Sequence, residues 1–305
     1  MENPYIHPTR IKAALRALDL RPTREMGQNF LVDAYALQQI VDAAELTRAD
    51  TVLEVGPGLG VLTWELLQRA GRVVAIELDK RLAARLVTEL GYDQRLTIIQ
   101  SDMLKTDLVT ALAQAAPEAE DGARLRQGPG TVYKVVANLP YAITSAALRH
   151  TLETVPPPTL IVVLVQWEVA TRITAKPGDM SVLAHSVQVY AEPEIIARVP
   201  HTSFFPSPVV DSAILKLHVR AVPLVPREQV DLVLKFIKAG FLQARKKLSN
   251  ALPIGLASVG WPTSREQAVA ALAGANVDPD RRAETLTFDE WLQVYQALRP
   301  VKREE

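Results

Sequence analysis

The chain has 305 residues, of which 48% are hydrophobic and 22% are charged, and this composition indicates a globular protein with one large domain and a smaller one. The absence of cysteine excludes a disulfide framework and a thiolate metal site. The formal net charge is zero, so the chain as a whole gives no indication of a polyanionic partner.

Strand-like and helix-like segments alternate from about residue 35 to residue 220, which predicts parallel β-α units in a doubly wound sheet. The connection between the last two strands is too short for a crossover helix, so we expect the last strand to be antiparallel. Seven strands that end in this way are typical of methyltransferases rather than of dinucleotide dehydrogenases. The predicted strands are residues 51–56, 72–78, 96–102, 132–138, 160–166, 194–199 and 213–219.

A stretch with two prolines, residues 221–228, ends the sheet pattern and predicts a linker. The apolar spacing beyond it is helical throughout. We therefore expect a domain over residues 1–222, which begins with a helical segment, and a small all-helical domain over residues 223–305. Residues 111–130 are rich in Ala, Gly, Pro and charge, and predict a surface insertion.

A glycine-rich turn, Gly56 to Gly60 with the sequence GPGLG, follows the first predicted strand and leads directly into a helical pattern. Glycines at such a turn let the backbone approach a ligand, and the helix N-terminus offers N–H groups to an anion. The spacing does not fit the G-x-G-x-x-G fingerprint of dinucleotide sites. It suits S-adenosylmethionine, in which Gly56 and Gly58 would approach a single carboxylate. A structural turn without a ligand is the alternative.

Two acidic residues end the next two predicted strands. Glu77 lies 21 residues after Gly56, close to the ~20-residue offset at which an acid accepts ribose hydroxyls in nucleotide-binding folds. Asp102 ends the third strand, where its carboxylate could accept an amine hydrogen from adenine. Either acid alone would more often face solvent, but three consecutive strands that each end in a suitable group favour a cofactor site.

The tetrapeptide Asn138-Leu139-Pro140-Tyr141 follows the fourth predicted strand. It is ordinary turn material when taken alone. It also suits methylation of an exocyclic amine on a base, a poor nucleophile whose lone pair is delocalised into the ring. The Asn138 side-chain oxygen and the Leu139 carbonyl could accept both amine hydrogens, and Pro140 would fix the direction of that carbonyl. Tyr141 offers a face for a base that has left its stack.

Basic residues are concentrated in two segments of this neutral chain. Residues 216–247 contain eight basic side chains and two acidic ones, and residues 1–24 contain five basic and two acidic ones. One basic face would be enough to bind a polyanion. A solvated helix face explains the same charges equally well.

The sequence resembles the ribosomal RNA adenine N6-dimethyltransferases, and within them the small-subunit type. The resemblance covers most of the chain, and its motifs occur in the family order. The matching stretches are MGQNFLVD (26–33), LEVGPGLGVLT (53–63), VVAIELDKRL (73–82), SDMLKTD (101–107), VVANLPYAITS (135–145), VQWEVATRI (165–173), FFPSPVVDSAILKL (204–217) and FLQARKKLSNAL (241–252).

The resemblance implies a class I methyltransferase fold, S-adenosylmethionine as the cofactor and no metal. It implies that Phe204, the aromatic of an F-x-P-x-P motif, holds the target base against Tyr141. It also implies RNA contacts from the basic segment, for which we select Arg245, Lys246 and Lys247. The implied cofactor contacts are Gln28, Asn29, Leu31, Gly56, Gly58, Glu77, Leu78, Asp102, Met103 and Asn138.

Two departures from the family pattern concern RNA rather than the cofactor. Trp167 lies where the family usually has a lysine, so that one RNA contact is lost or the apolar core is extended. The insertion at 111–130 is expected near the strand ends. Neither departure affects the cofactor motifs.

The implied activity is transfer of methyl groups to N6 of two adjacent adenosines in the 3'-terminal hairpin loop of 16S rRNA. The partner would be the small ribosomal subunit or its precursor, and the role would lie in subunit biogenesis. Because the longest apolar run is far shorter than a membrane span and the N-terminus lacks a signal-peptide pattern, we expect a cytoplasmic enzyme without a membrane partner. We also expect a monomer. The alternatives are a macrolide-resistance enzyme that methylates large-subunit rRNA, and an assembly or transcription factor with little chemistry.

Overall fold

The computed structural model describes residues 3–20, 29–114 and 132–299. The chain divides into two compact units, the first formed by residues 1–170 and 192–221 and the second by residues 171–191 and 222–305. The boundary between residues 221 and 222 lies in the predicted linker, residues 221–228. Residues 171–191, which the sequence places in the first domain, group with the helical unit instead.

The strands follow the predicted segments closely, with two short additional ones. They are β1 (Phe30–Leu31), β2 (Thr51–Val55), β3 (Arg72–Glu77), β4 (Leu96–Gln100), β5 (Tyr133–Asn138), β6 (Leu160–Gln166), β7 (Ala191–Val199), β8 (Phe204–Phe205) and β9 (Ser212–Val219). The helices are α1 (Pro8–Ala17), α2 (Ala34–Ala43), α3 (Val61–Arg69), α4 (Lys80–Leu90), α5 (Leu108–Gln114), α6 (Thr144–Glu153), α7 (Trp167–Ile173), α8 (Val182–Gln188), α9 (Arg227–Phe241), α10 (Leu248–Ser258), α11 (Arg265–Gly274) and α12 (Phe288–Leu298).

Seven strands form one sheet in the order β4-β3-β2-β5-β6-β9-β7. The pairings of β2 with β3 and β5, of β3 with β4 and of β5 with β6 are parallel, whereas β9 runs antiparallel to β6. This arrangement confirms the predicted seven-stranded sheet with an antiparallel last strand. The order in which the strands are added to the sheet reverses at β2: β3 and β4 follow on one side, and β5 and β6 on the other. Open α/β folds bind their ligands at such a point.

The central strands are largely buried because helices cover the sheet. All five residues of β2 are buried, and so are six of the seven in β6, which reads LIVVLVQ. Continuous runs of β-branched residues are typical of parallel strands that are buried on both faces. The buried positions of α2, α3 and α4 recur at helical spacing, and these helices pack on β6, β3 and β4, respectively.

A two-stranded ribbon joins the N-terminal segment to the segment before β9. Strand β1 pairs antiparallel with β8, so that Phe30 lies opposite Phe205 and Leu31 opposite Phe204. The Val32 amide donates to the Ser203 carbonyl at 2.9 Å, and the Ser203 hydroxyl donates to Asp33 at 2.6 Å. The ribbon holds residues 29–33 in place. It was not predicted, because two-residue strands have no periodicity.

The second unit is helical around an aromatic core. The Phe236 ring makes edge contacts with Trp261, Trp291 and Tyr295, with ring centroids 5.5 to 6.2 Å apart. Helices α9 and α10 approach closely at Gly255, where a Cβ atom would lie 1.9 Å from the Ala239 carbonyl oxygen. The predicted all-helical tail is therefore confirmed as a packed unit.

Most of the predicted insertion at 111–130 lies outside the described residues, and its first four residues belong to α5. Within the described ranges, every helix is too short or too polar to cross a membrane.

Candidate functional site

A cavity of about 630 Å³ lies in the first unit at the carboxyl ends of β2, β3, β4 and β5. This volume suits a ligand the size of a nucleoside. The cavity brings together twelve residues from the sequence predictions. They are Asn29, Leu31, Gly56, Gly58, Glu77, Leu78, Asp102, Met103, Asn138, Leu139, Pro140 and Tyr141.

The glycine turn after β2 forms one wall of this cavity. Gly56, Gly58 and Gly60 all have positive φ angles, of 67°, 59° and 85°, a region that side chains with a Cβ atom rarely adopt. A Cβ atom at Gly58 would lie 3.2 Å from the Phe30 ring. Helix α3 begins directly after Gly60, so its free N–H groups lie beside the turn. The turn therefore presents bare backbone to a ligand.

Glu77 ends β3 and is 6% exposed. One carboxylate oxygen accepts the Gly58 amide at 3.0 Å and the other accepts the Asp79 amide at 2.9 Å. Burial raises the pKa of Glu77, and these backbone hydrogen bonds oppose the rise. The carboxylate is thus fixed against the glycine turn and keeps further lone pairs for a hydroxyl donor.

Asp102 lies after β4 and caps the short 3-10 helix Met103–Lys105 by accepting the Leu104 amide at 3.0 Å. Its second oxygen is 3.7 Å from the Lys105 ammonium. Met103 is buried, whereas Leu78 is 65% exposed at the end of β3. Asp102 therefore adds an acidic position to the cavity, and Met103 and Leu78 add apolar surface.

The tetrapeptide after β5 forms the opposite wall. The Asn138 side-chain nitrogen donates to the Asn29 carbonyl at 3.1 Å, which leaves its side-chain oxygen as the available acceptor. The Leu139 amide donates to the Leu164 carbonyl on β6 at 3.2 Å. Pro140 lies against the glycine turn, where a Cβ atom on Gly56 would be 3.5 Å from the Pro140 ring. Strand β6 and the glycine turn therefore hold this segment on two sides.

Tyr141 is half-buried at the cavity wall. Its hydroxyl lies 2.7 Å from the Ser212 hydroxyl on β9. Burial raises the pKa of Tyr141, with the Ser212 hydrogen bond opposing the rise, so the phenol is neutral at physiological pH. The hydrogen bond fixes one edge of the ring.

Phe204, which was predicted at the site, is not among the residues that line the cavity. Phe204 is 4% exposed and belongs to the hydrophobic core of the first unit together with Leu31 and Val199. Its neighbour Phe205 is half-buried and lies under the Lys12 ammonium, 5.0 Å from the ring centroid. Gln28 lies outside the described residues.

The predicted RNA-binding residues Arg245, Lys246 and Lys247 are exposed in the connection between α9 and α10 of the second unit. The Lys247 ammonium pairs with Asp280 at 2.6 Å. An exposed pair of this kind contributes little stability, so Lys247 can exchange its partner.

Glu54 lines the cavity and was missed by the sequence analysis, although it lies in the matched stretch LEVGPGLG. It is 1% exposed, and its Oε2 atom has no hydrogen-bond partner among the described residues. Burial raises the pKa of Glu54 to about 8, the Thr63 hydroxyl opposes the rise, and the charge of Glu77 adds to it. The cavity therefore contains a buried acid that is largely protonated at neutral pH.

Over the three described ranges, no group of three His, Asp or Glu side chains could hold a metal ion. The polar side chains that line the cavity include four carboxyl groups and two amides, together with the cations Lys80 and Arg81 and the hydroxyls of Ser101 and Tyr141. The excess of carboxyl groups suits an organic cation with hydroxyl groups.

The sheet order and the position of the cavity define a class I methyltransferase fold. The structure of the 23S rRNA methyltransferase ErmE superimposes with a TM-score of 0.64 and 29% identity over 88% of this chain and 99% of that one. A dimethyladenosine transferase from Plasmodium falciparum gives a TM-score of 0.67 at 24% identity, over 88% of this chain and 96% of that one, and shows the fold alone.

The model of the ribosomal RNA adenine dimethylase family matches residues 21–299, so the chain belongs to this family. Two similar proteins are called ribosomal RNA small subunit methyltransferase A. The protein from Moorella thermoacetica is 42% identical over 95% of this chain and 97% of its own length. The protein from Dehalococcoides mccartyi is 42% identical over 92% of this chain and 89% of its own length. The family suggested by the motifs is thereby confirmed.

The raised pKa of Glu54 predicts a pH-dependent cost to stability. Below pH 4.5 the carboxyl is protonated in both the folded and the unfolded chain; between pH 4.5 and 8 folding must take up a proton. Stability therefore falls with rising pH, by up to about 1.4 kcal/mol for each pH unit. We expect Glu54→Gln to match the wild type in urea unfolding near pH 4.5 and to be more stable at pH 8.

The exposed residue Glu192, on β7 of the same unit, pairs with Arg220 and provides the matched control. Glu192→Gln should not produce a stability difference that grows between pH 4.5 and 8. Equal stability of Glu54→Gln and the wild type at pH 8 would show that the pKa of Glu54 is not raised in the folded protein.

Proposed function

We propose that this enzyme transfers methyl groups from S-adenosylmethionine to N6 of two adjacent adenosines in the 3'-terminal hairpin loop of 16S rRNA. The product is N6,N6-dimethyladenosine at both positions. The enzyme acts in the cytoplasm as a monomer on the small ribosomal subunit or its precursor, in subunit biogenesis. The observation that carries the proposal is the meeting of the glycine turn, Glu77, Asp102 and the tetrapeptide 138–141 around one cavity.

The residues of the cavity fit the proposed cofactor. Glu77 can accept ribose hydroxyls, because each of its oxygens has a lone pair beyond the one used by the backbone. Asp102 can accept an adenine amine hydrogen beside the apolar Met103. The bare backbone at Gly56 and Gly58 suits the amino-acid end. S-adenosylmethionine supplies an electrophilic methyl group when it is bound.

Asn138 and Leu139 are proposed to activate the adenine amine. The amine lone pair is delocalised into the ring, so the site must favour the pyramidal form. The Asn138 side-chain nitrogen donates to the Asn29 carbonyl, so the side-chain oxygen is the atom that can accept a hydrogen bond from the amine. With the Leu139 carbonyl it would accept both amine hydrogens and aim the lone pair at the methyl group. Catalysis then depends on positioning and electrostatics.

Tyr141 is proposed to stack with the target adenine, since its ring lines the cavity and Ser212 fixes its edge. The predicted partner in this stack, Phe204, would have to leave the core, because its ring is 4% exposed here. A base taken out of its stack needs such an aromatic surface.

The 42% identity to proteins named for the small subunit favours that substrate over the large subunit. The NLPY form of the tetrapeptide supports the same choice, since the resistance branch tends to have NIPY or NIPF. Intact cavity residues oppose the alternative of an assembly factor without chemistry.

A transfer assay tests the proposal directly. The protein is incubated with S-adenosylmethionine carrying a labelled methyl group and with undermethylated small or large subunits. We expect label in small-subunit rRNA as N6,N6-dimethyladenosine. Label only in large-subunit rRNA would show that the protein acts like the resistance enzymes. No label in either rRNA would favour an assembly factor without methyltransferase activity.

Asn138→Ala removes the proposed side-chain acceptor. We expect kcat to fall about 100-fold or more, as when one preorganised hydrogen-bonding group is removed from an active site. Cofactor binding, measured by calorimetry, should weaken less, since Glu77 and Asp102 remain. Gln38→Ala, which removes an exposed amide on α2, should retain full activity. Near-normal turnover of Asn138→Ala would refute the proposed activation of the amine.

Replacing both Lys246 and Lys247 by Ala tests the proposed phosphate contacts. Each lost contact should reduce the slope of log affinity against log salt by about 0.7 to 0.9. Lys176 and Arg282 are exposed cations of the same unit outside the basic segment, and their double replacement by Ala is the control. A salt dependence equal to that of the wild type would identify Lys246 and Lys247 as merely solvated charges.

A further inference from the structure

Trp167 and Arg198 form a stacked pair at the carboxyl edge of the sheet in the first unit. Trp167 begins α7 directly after β6 and is half-buried. The guanidinium carbon of Arg198 lies 4.8 Å from the centroid of the Trp167 ring, within the range of cation–π attraction. Trp167 is therefore only partly buried, and one face of its ring contacts Arg198. The Arg198 side chain is 57% exposed, so the guanidinium face away from the indole is open to solvent.

Asp211 holds Arg198 in this position. One carboxylate oxygen accepts the Arg198 Nε at 3.0 Å and Nη2 at 2.8 Å. The other oxygen is 2.9 Å from both the backbone nitrogen and the Nδ1 atom of His201. The hydrogen bonds from His201, with Arg198 adding to them, lower the pKa of Asp211 to about 2, so the carboxylate is charged at neutral pH. Asp211 is therefore a positioning residue for the guanidinium plane.

The chemistry of this pair favours a base over a phosphate. A phosphate is bound best where N–H donors come with uncompensated positive charge. Asp211 accepts hydrogen bonds from Nε and Nη2 of Arg198 and offsets its charge, so the three remaining N–H donors carry little net charge for an anion. The pair also offers the guanidinium face that points away from the indole. Unpaired RNA bases stack on arginine planes and on aromatic rings, and this stacking is tolerant of sequence.

The stack is connected to the cavity through β9. The Trp167 amide donates to the Asp211 carbonyl at 2.9 Å, and the next residue, Ser212, pairs with Gln166. The Ser212 hydroxyl bonds the Tyr141 hydroxyl at 2.7 Å. A single residue of β9 therefore links the stack to the aromatic ring proposed to hold the target adenine.

We infer that the open face of the Arg198–Trp167 stack binds an unpaired base of the substrate RNA that flanks the target adenosine. The inference rests on the proposed function, since it takes RNA as the substrate. The stack adds a second base-holding surface beside Tyr141. It helps to keep the loop single-stranded across the cavity, so that the neighbouring adenosine is presented in an unstacked form.

Binding of a fluorescein-labelled RNA hairpin with the 3'-terminal loop sequence of 16S rRNA, followed by anisotropy at several salt concentrations, tests the inference. Arg198→Ala removes both the guanidinium plane and the positive charge, whereas Arg198→Lys removes the plane and keeps the charge. We expect both to weaken binding about five- to tenfold, as for the loss of one stacked base, with the salt slope of the wild type.

Arg95 provides a matched control outside both basic segments. It pairs with Asp93 through Nε at 3.0 Å and Nη2 at 2.6 Å, and it directly precedes β4, at the edge of the sheet opposite the cavity. Arg95→Ala should leave RNA affinity unchanged. Circular dichroism verifies that the three variants are folded.

Several outcomes would overturn the inference. If Arg198→Ala binds RNA as tightly as the wild type, Arg198 only forms a surface ion pair and does not contact RNA. If Arg198→Lys binds as tightly as the wild type, the positive charge of Arg198 is enough for RNA binding and the guanidinium plane is not needed. A salt slope reduced by about one in Arg198→Ala would indicate a phosphate contact. A wild-type protein that does not bind the hairpin would also refute it.

The transfer assay separates this inference from the proposed function. If the wild type methylates small subunits but Arg198→Ala and Arg198→Lys bind the hairpin normally, only the inference fails. If the binding differences appear but no methyl group is transferred, the inference stands and the proposed function fails.

Discussion

The parallel pairing of β2 with β3 on one side and with β5 on the other is the constraint on which the site depends. The registers Val55 opposite Ile76 and Leu53 opposite Val135 align the carboxyl ends of these strands at one edge. Residues far apart in the chain then meet there, including the glycine turn, Glu77 and Asn138. A shift of one residue would turn the strand-end side chains to the other face of the sheet, so packing on both faces fixes the chemistry as well as the fold.

Burial and hydrogen bonding give chemically similar groups in the cavity different pKa values and orientations. Glu54 and Glu77 are both carboxyls with raised pKa values, but only Glu77 has backbone donors that oppose the effect of burial. Glu54 lacks a partner for Oε2 among the described residues, so it is the more strongly shifted of the two. Asn138 is oriented by the Asn29 carbonyl rather than by another side chain. Backbone groups thus organise most of the polar site before any ligand binds, which lowers the cost of reorganisation.

Two different modes of RNA recognition are proposed for two parts of the chain. Exposed cations at 245–247 in the helical unit suit phosphates, whose contribution weakens with salt. The Arg198–Trp167 stack has its charge offset by Asp211 and suits the face of a base. This division would reconcile a net charge of zero with an RNA substrate, because only a few local cations need to contact the backbone while planar groups position the bases.

Seven strands, an antiparallel last strand and the strand-end residues of the cavity were predictable from the sequence, because the period of apolar residues and the glycine spacing are local properties. The helical tail was predictable for the same reason. Four features were not predictable in this way: the β1–β8 ribbon, the burial of Phe204, the pKa of Glu54 and the stack of Trp167 and Arg198. Each depends on contacts between segments far apart in the chain. Local patterns say which residues are apolar or charged, but only packing decides which of them lose solvent and which partner they meet.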